Sequence, residues 1–160
     1  MQAELQHEHE WLQKLVGEWD FEHEACMGPD QPSMKSTGTE TVKSLGGLWT
    51  VGEGKFEMPD GSLATVIMTL GYDPQQKRFV GTFIGSMMTH LWIYNGSLDT
   101  TGKILTLDTE GPDFSGGPNL AKFQDMIEWI NDDHRTLSSQ LLGEDGKWQK
   151  FMTAHYRRKK

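Results

Sequence analysis

Glu18-Trp19-Asp20-Phe21-Glu22-His23-Glu24-Ala25 is the stretch on which the fold turns. Trp19, Phe21, His23 and Ala25 fall on one side and the four acids on the other, the period-two alternation of a half-buried strand. Just upstream the period differs. Leu5, Trp11, Leu12, Leu15 and Val16 recur near helical spacing, Glu4, Glu8, Glu10 and Lys14 lie mostly elsewhere, and Gly17 ends the run. Residues 1–16 therefore read as a helix that caps the strands behind it.

Downstream, turn signals recur at short intervals. They are Gly28-Pro29-Asp30, Gly46-Gly47, Pro59-Asp60-Gly61, Tyr72-Asp73-Pro74, Gly85, Asn95-Gly96, Thr101-Gly102, Gly111-Pro112, Asn131-Asp132-Asp133 and Glu144-Asp145-Gly146. The segments between them are rich in Thr, Val, Ile, Phe and Trp. They predict about ten strands, near 18–26, 35–44, 48–57, 63–71, 77–84, 89–97, 103–109, 121–130, 134–142 and 148–158. Most links are hairpin-length, which implies an antiparallel meander; the exception is the Gly/Pro-rich loop 110–120. Asn95-Gly96-Ser97 matches a glycosylation acceptor but reads as a hairpin turn. No repeat of 20–50 residues is visible, and one domain spans 1–160. A sheet this wide closes on itself or splits into a sandwich. The expected class is all-β, an antiparallel up-and-down β-barrel, wide enough to enclose a pocket that a sandwich would lack.

Composition narrows the function. The 160 residues carry 23 acids against 15 Lys and Arg, a net charge of −8. Arg157, Arg158, Lys159 and Lys160 hold +4 of this, which leaves −12 on residues 1–156. So acidic a body repels phosphate backbones, which argues against nucleic acid. No window approaches the roughly 20 apolar residues of a membrane span. Cys26 is alone, which fits a reducing compartment, and Met1 to Glu10 lacks the pattern of a signal peptide, so a cytoplasmic location is expected.

Gly17-Glu18-Trp19 at the start and Tyr156-Arg157-Arg158 at the end resemble the calycin pattern. That resemblance implies an indole at the barrel floor with a late arginine stacked across it, a cation–π pair. Parity along the last strand selects Arg158, so Trp19 and Arg158 are assigned to the floor. A closer likeness covers nearly the whole chain. Glu8 to Trp19, Leu45-Gly46-Gly47-Leu48-Trp49, Leu70-Gly71-Tyr72-Asp73, Asn95-Gly96-Ser97-Leu98-Asp99 and Tyr156-x-Arg158, in this order, resemble the bacterial domain of unknown function 1579 family (DUF1579). This resemblance implies a lipocalin-like barrel and brings no established catalytic residues.

The candidate site is the lining of the barrel. On strand 89–97, His90, Trp92 and Tyr94 alternate with Leu91, Ile93 and Asn95; we take the first set inward, because aromatics with a polar tip orient ligands. The alternative turns them outward, onto the surface or a dimer contact. His23, Phe83 and Met88 complete the lining set, with Thr65 or Thr69 beside Ile67 as further inward positions. His155 is read on one face with Phe151 and Thr153, opposite Arg158 and so outward.

Patterns of chemistry are sparse. His7-x-His9 on a helix and Glu22-His23-Glu24 on a strand do not converge on a metal. No Gly-x-Ser-x-Gly occurs, and Gly81-Thr82-Phe83-Ile84-Gly85 lacks the ending of a phosphate loop. Asp125, Glu128, Asp132 and Asp133 are not read as a general acid/base pair. No catalytic residue, metal ligand or cofactor is assigned. The leading expectation is a barrel that binds a small hydrophobic or amphipathic molecule. Three alternatives stand beside it: an isomerase or hydrolase using His90 or His23 as base, a haem barrel with an inward histidine at an open mouth, and a filled barrel acting as a homodimeric interaction module.

Overall fold

The computed structural model describes residues 3–26 and 31–160. The turn expected at Gly28-Pro29-Asp30 lies outside them. One short helix, α1 (His7–Gln13), precedes ten strands: β1 (Gly17–Ala25), β2 (Met34–Leu45), β3 (Trp49–Glu57), β4 (Leu63–Asp73), β5 (Arg78–Gly85), β6 (Trp92–Leu98), β7 (Ile104–Pro112), β8 (Leu120–Asn131), β9 (His134–Leu142) and β10 (Trp148–Arg158). Every strand pairs antiparallel with its sequence neighbours, and β1 also pairs with β10, which closes the barrel. Closure leaves no free sheet edge.

Trp19 is fully buried and forms the floor. Its indole Nε1 donates to the Leu15 carbonyl at 2.9 Å, and the Arg158 guanidinium lies 4.2 Å from its ring centroid. Arg158 also donates to the carbonyls of Asp132 (2.8 Å), Val16 (2.9 Å) and Lys14 (3.0 Å). One side chain thus ties the helix exit, the first strand, the β8–β9 turn and the last strand. Gly17 makes room for it: at φ +142°, a Cβ there would collide with Arg158 Nη1.

Above the floor, α1 plugs the same end with Trp11, Leu12 and the following Leu15, all buried. Trp11 Nε1 donates to the Gly102 carbonyl at 2.7 Å. His9 Nδ1 accepts from the Gln6 amide at 2.9 Å, so its Nε2 carries the proton donated to the Tyr72 carbonyl, 3.0 Å away. This N-terminal cap explains why the helix begins at His7 rather than at the chain start, as the 1–16 reading expects. Leu5 lies ahead of it and is exposed.

Other expectations shift with tertiary pairing. Asn95-Gly96-Ser97 is not a turn but the middle of β6, with Gly96 paired to Phe79 and Leu107. The turn comes at Asp99, whose carboxylate accepts from the Lys103 and Ile104 amides. On β4 the parity is the reverse of that expected. Val66, Met68 and Leu70 line the interior, while Thr69 hydrogen-bonds Thr82 at 2.7 Å on the outer side. Apolar residues crowd both faces of this strand, so alternation alone does not orient it. A bulge between Lys150 and Met152 breaks the parity of β10 and lets Phe151 meet the buried Phe123, with ring centroids 6.0 Å apart. His155 is thereby separated from Phe151 and pairs with His134 at 3.0 Å.

Because the floor hangs on one indole, Trp19→Ala is expected to cost about 3–5 kcal/mol. Urea unfolding followed by far-UV circular dichroism measures it; a loss below about 1 kcal/mol contradicts the role assigned to this residue.

Candidate functional site

Inside the barrel, polar groups sit where strand alternation turns them inward. Arg135 on β9 is buried, ion-paired with Glu40 on β2, and its guanidinium lies 4.1 Å from the Tyr156 ring and 4.6 Å from that of Trp19. Burial pushes the Tyr156 phenol well up. Arg135 borders a cavity of about 40 Å³ whose other walls include Val42, Val66, Met68, Phe83 and Ile127. Such a space holds a few waters and falls short of the roughly 300–1,000 Å³ of ordinary ligand pockets.

Asp125 on β8 faces the same interior, two residues along from Ile127. Tyr94 on β6 donates its hydroxyl to Oδ2 at 2.5 Å, and Ser139 on β9 donates to Oδ1 at 2.6 Å. The carboxyl is surrounded by the barrel wall, and burial raises its pKa against the pull of both hydroxyls. The residue as a whole is only partly buried, and Ile127, two positions along on the same face, borders the inner cavity. Burial and then the Asp125 charge push the Tyr94 phenol up as well.

The end opposite the helix is the mouth. His23 lies there between the rings of Phe21 (6.0 Å) and Phe56 (5.3 Å), and burial lowers its pKa, which favours neutral imidazole. A hollow of about 1110 Å³ opens here, lined by His23, Met34, Ser36, Phe56, Met58 and Met87 among others. It also takes in Glu22 and Glu24 from the outer face of β1, so it wraps over the rim and is wider than the lumen itself. The other side of the mouth is filled by aromatic rings. Trp92 stands over Gly111, where a Cβ would collide with the indole, and meets Phe123 at 4.9 Å. Its Nε1 donates to Met88 Sδ at 3.2 Å, and Phe114 and Phe151 extend the cluster.

The residues singled out in the sequence are therefore not one constellation. Phe83 borders the inner cavity, Tyr94 holds Asp125, and His23 lies at the mouth. Trp92 and Met88 belong to the aromatic cluster. His90 is not on a strand face; it precedes β6, stacks edge-on against Trp92 at 4.7 Å and bonds the Glu110 carbonyl at 2.9 Å. The hydroxyl of Tyr94 is engaged by Asp125 rather than by a histidine. Arg135, Glu40, Asp125 and Ser139 were missed as interior groups, although a signal exists. Phe123, Asp125, Ile127 and Trp129 share one parity on β8, which places a carboxylate in the middle of an apolar row.

A closed ten-strand antiparallel barrel with its floor on Trp19 and Arg158 is a lipocalin-like, calycin-type barrel. The chain belongs to the DUF1579 family of proteins of unknown function, whose pattern matches residues 4–158. No curated protein matches the sequence. Among solved structures, Rv2717c from M. tuberculosis is similar with a TM-score of 0.67 at 13% identity, covering 98% of this chain and 100% of that one. The S-type phycobiliprotein lyase CPES from Guillardia theta is similar with a TM-score of 0.62 at 13% identity, covering 95% and 92%. EF1p2_mFAP2b, solved bound to DFHBI, reaches 0.50 at 14% identity, covering 94% and 98%. At these identities the likeness is one of fold.

Asp125 also makes stability depend on pH. Its raised pKa means the folded chain keeps a proton that the unfolded chain releases near pH 4, so its contribution fades as pH rises. Asp125→Asn removes that slope. Its urea midpoint is expected to gain on that of the parent between about pH 4 and pH 7, where a parallel course would contradict the burial argument.

Proposed function

We propose that the barrel binds a small apolar or amphipathic molecule that enters by the mouth and reaches into the lumen. The asymmetry of the two ends carries this reading: helix, indole and arginine seal one, while the other opens through a hollow of about 1110 Å³. The inner cavity of about 40 Å³ takes only a ligand's tip as it stands, so the bulk of the molecule rests against Phe56 and the mouth methionines. Thioether side chains suit this, because they repack around varied shapes. Met68 and Phe83, which are only partly buried, are the side chains that would move to deepen the pocket. The phycobiliprotein lyase and the DFHBI-bound barrel lend the reading support by fold.

N-phenyl-1-naphthylamine, a neutral dye that brightens in apolar surroundings, tests it. A saturable 1:1 rise in fluorescence is expected with the parent protein. Ser36→Trp, placed on the inner face at the mouth, is expected to abolish the rise while leaving the circular dichroism spectrum unchanged. An undiminished rise in this variant rules the lumen out as the binding place.

A second reading rests on His23, an inward imidazole kept neutral by burial and set among aromatic rings at the mouth. Such a group suits the proximal position of haem. Haemin titration is expected to give a Soret shift that His23→Ala removes; without a shift this reading falls and the first is untouched.

A further inference from the structure

Building on the lumen-binding reading, we propose that Asp125 anchors the ammonium group of an apolar primary amine, whose hydrocarbon part lies along the lumen. The argument begins with an imbalance of charge. Arg135, the buried cation of the barrel, is ion-paired with Glu40, and the Arg158 guanidinium faces the floor and the Asp132 carbonyl. Among the described residues, Asp125 forms no ion pair with Lys, Arg or His. It is held by two hydroxyls, one on each oxygen. A carboxylate has about four lone-pair sites, so two remain for donors from a ligand. Leaving a buried charge without its counter-charge is costly, and a cation brought by a ligand offsets that cost.

The surroundings select the rest of the molecule. Ile127 and Leu137 stand two residues from Asp125 and Ser139 on the same inner faces, and both border the apolar cavity with Met68 and Phe83. An ammonium at Asp125 therefore has hydrocarbon walls beside it, and its alkyl or aryl part runs from there towards Phe56 and the methionines of the mouth. The approach is favourable as well. The net charge is −8, and the hollow at the mouth carries Glu22, Glu24 and Glu57 against Lys35. A carboxylate ligand would set a second anion against Asp125, and an alcohol would leave its charge unbalanced.

Three probes of equal chain length separate the possibilities: octylamine, 1-octanol and octanoate, titrated calorimetrically into the full chain at pH 7. Octylamine is expected to bind at least about tenfold more tightly than octanol, and octanoate to bind more weakly than either. Asp125→Asn is expected to bring octylamine within about threefold of octanol. Should that variant fail to fold, lowering the pH of the parent protein from 7 to 4 serves in its place. Octylamine keeps its charge over that range, so its affinity falls while that of octanol holds. Equal affinity of the parent for amine and alcohol, or an amine preference that persists in Asp125→Asn, overturns the anchor and leaves lumen binding standing. Binding of none of the three probes at millimolar concentration overturns both.

Discussion

The stack of Arg158 on Trp19 is the contact on which the rest of the barrel depends. A guanidinium 4.2 Å from the centre of a fully buried indole is an attractive pair, but its larger effect is topological. Trp19 lies on the first strand and Arg158 on the last, directly paired across the seam that closes the sheet. The arginine's hydrogen bonds to Lys14, Val16 and Asp132 fasten the seam to the helix exit and to the β8–β9 turn. From this point the backbone pairing of the first and last strands runs on to Ala25 and Met152, with Phe21 against Tyr156 across the same seam. Once they meet, the inner faces of all ten strands become walls of a single space.

What fills that space then decides function. At the helix end, Trp11, Leu12, Leu15 and Trp19 occupy the lumen completely. Farther up, the inner face is uneven, with Gly52 and Gly54 on β3 and Gly81 on β5, either side of β4, and the filling is incomplete. Two polar devices stand in this region. Arg135 and Glu40 neutralise each other against Trp19 and Tyr156, which makes them a rigid brace. Asp125 is different, because hydroxyls stabilise its charge without cancelling it. An interior that contains a balanced pair and an unbalanced carboxylate is polarised towards cations, and this asymmetry gives the lumen its chemical character.

Much of the fold was legible in the chain. The alternation of Trp19, Phe21 and His23 against four acids fixed both the strand and its inner face, because burial of one face only is written plainly when the other is charged. Turn residues marked strand limits well where a hairpin needed them, as at Gly46-Gly47 and Gly146, which adopt positive φ. They misled at Asn95-Gly96, where the glycine serves close packing between Phe79 and Leu107 instead of a turn. His90 looked like part of a strand face because it continues the parity of Trp92, yet the strand begins only at Trp92.

Sequence by itself thus determined the strand number and the antiparallel order, since these follow from local periodicity and turn residues; the floor pair came from the resemblance of the two ends to the calycin pattern, with parity along the last strand selecting Arg158. Tertiary structure alone decided which groups share the lumen. Asp125, Tyr94 and Ser139 come from three strands, and Arg135 and Glu40 are separated by 95 residues. Their meeting depends on the tilt and register of the closed barrel, a property of the whole sheet that no single strand carries. The bulge at Phe151 makes the same point at one residue: a single unpaired position turned a side chain from the expected outer face to the inner one.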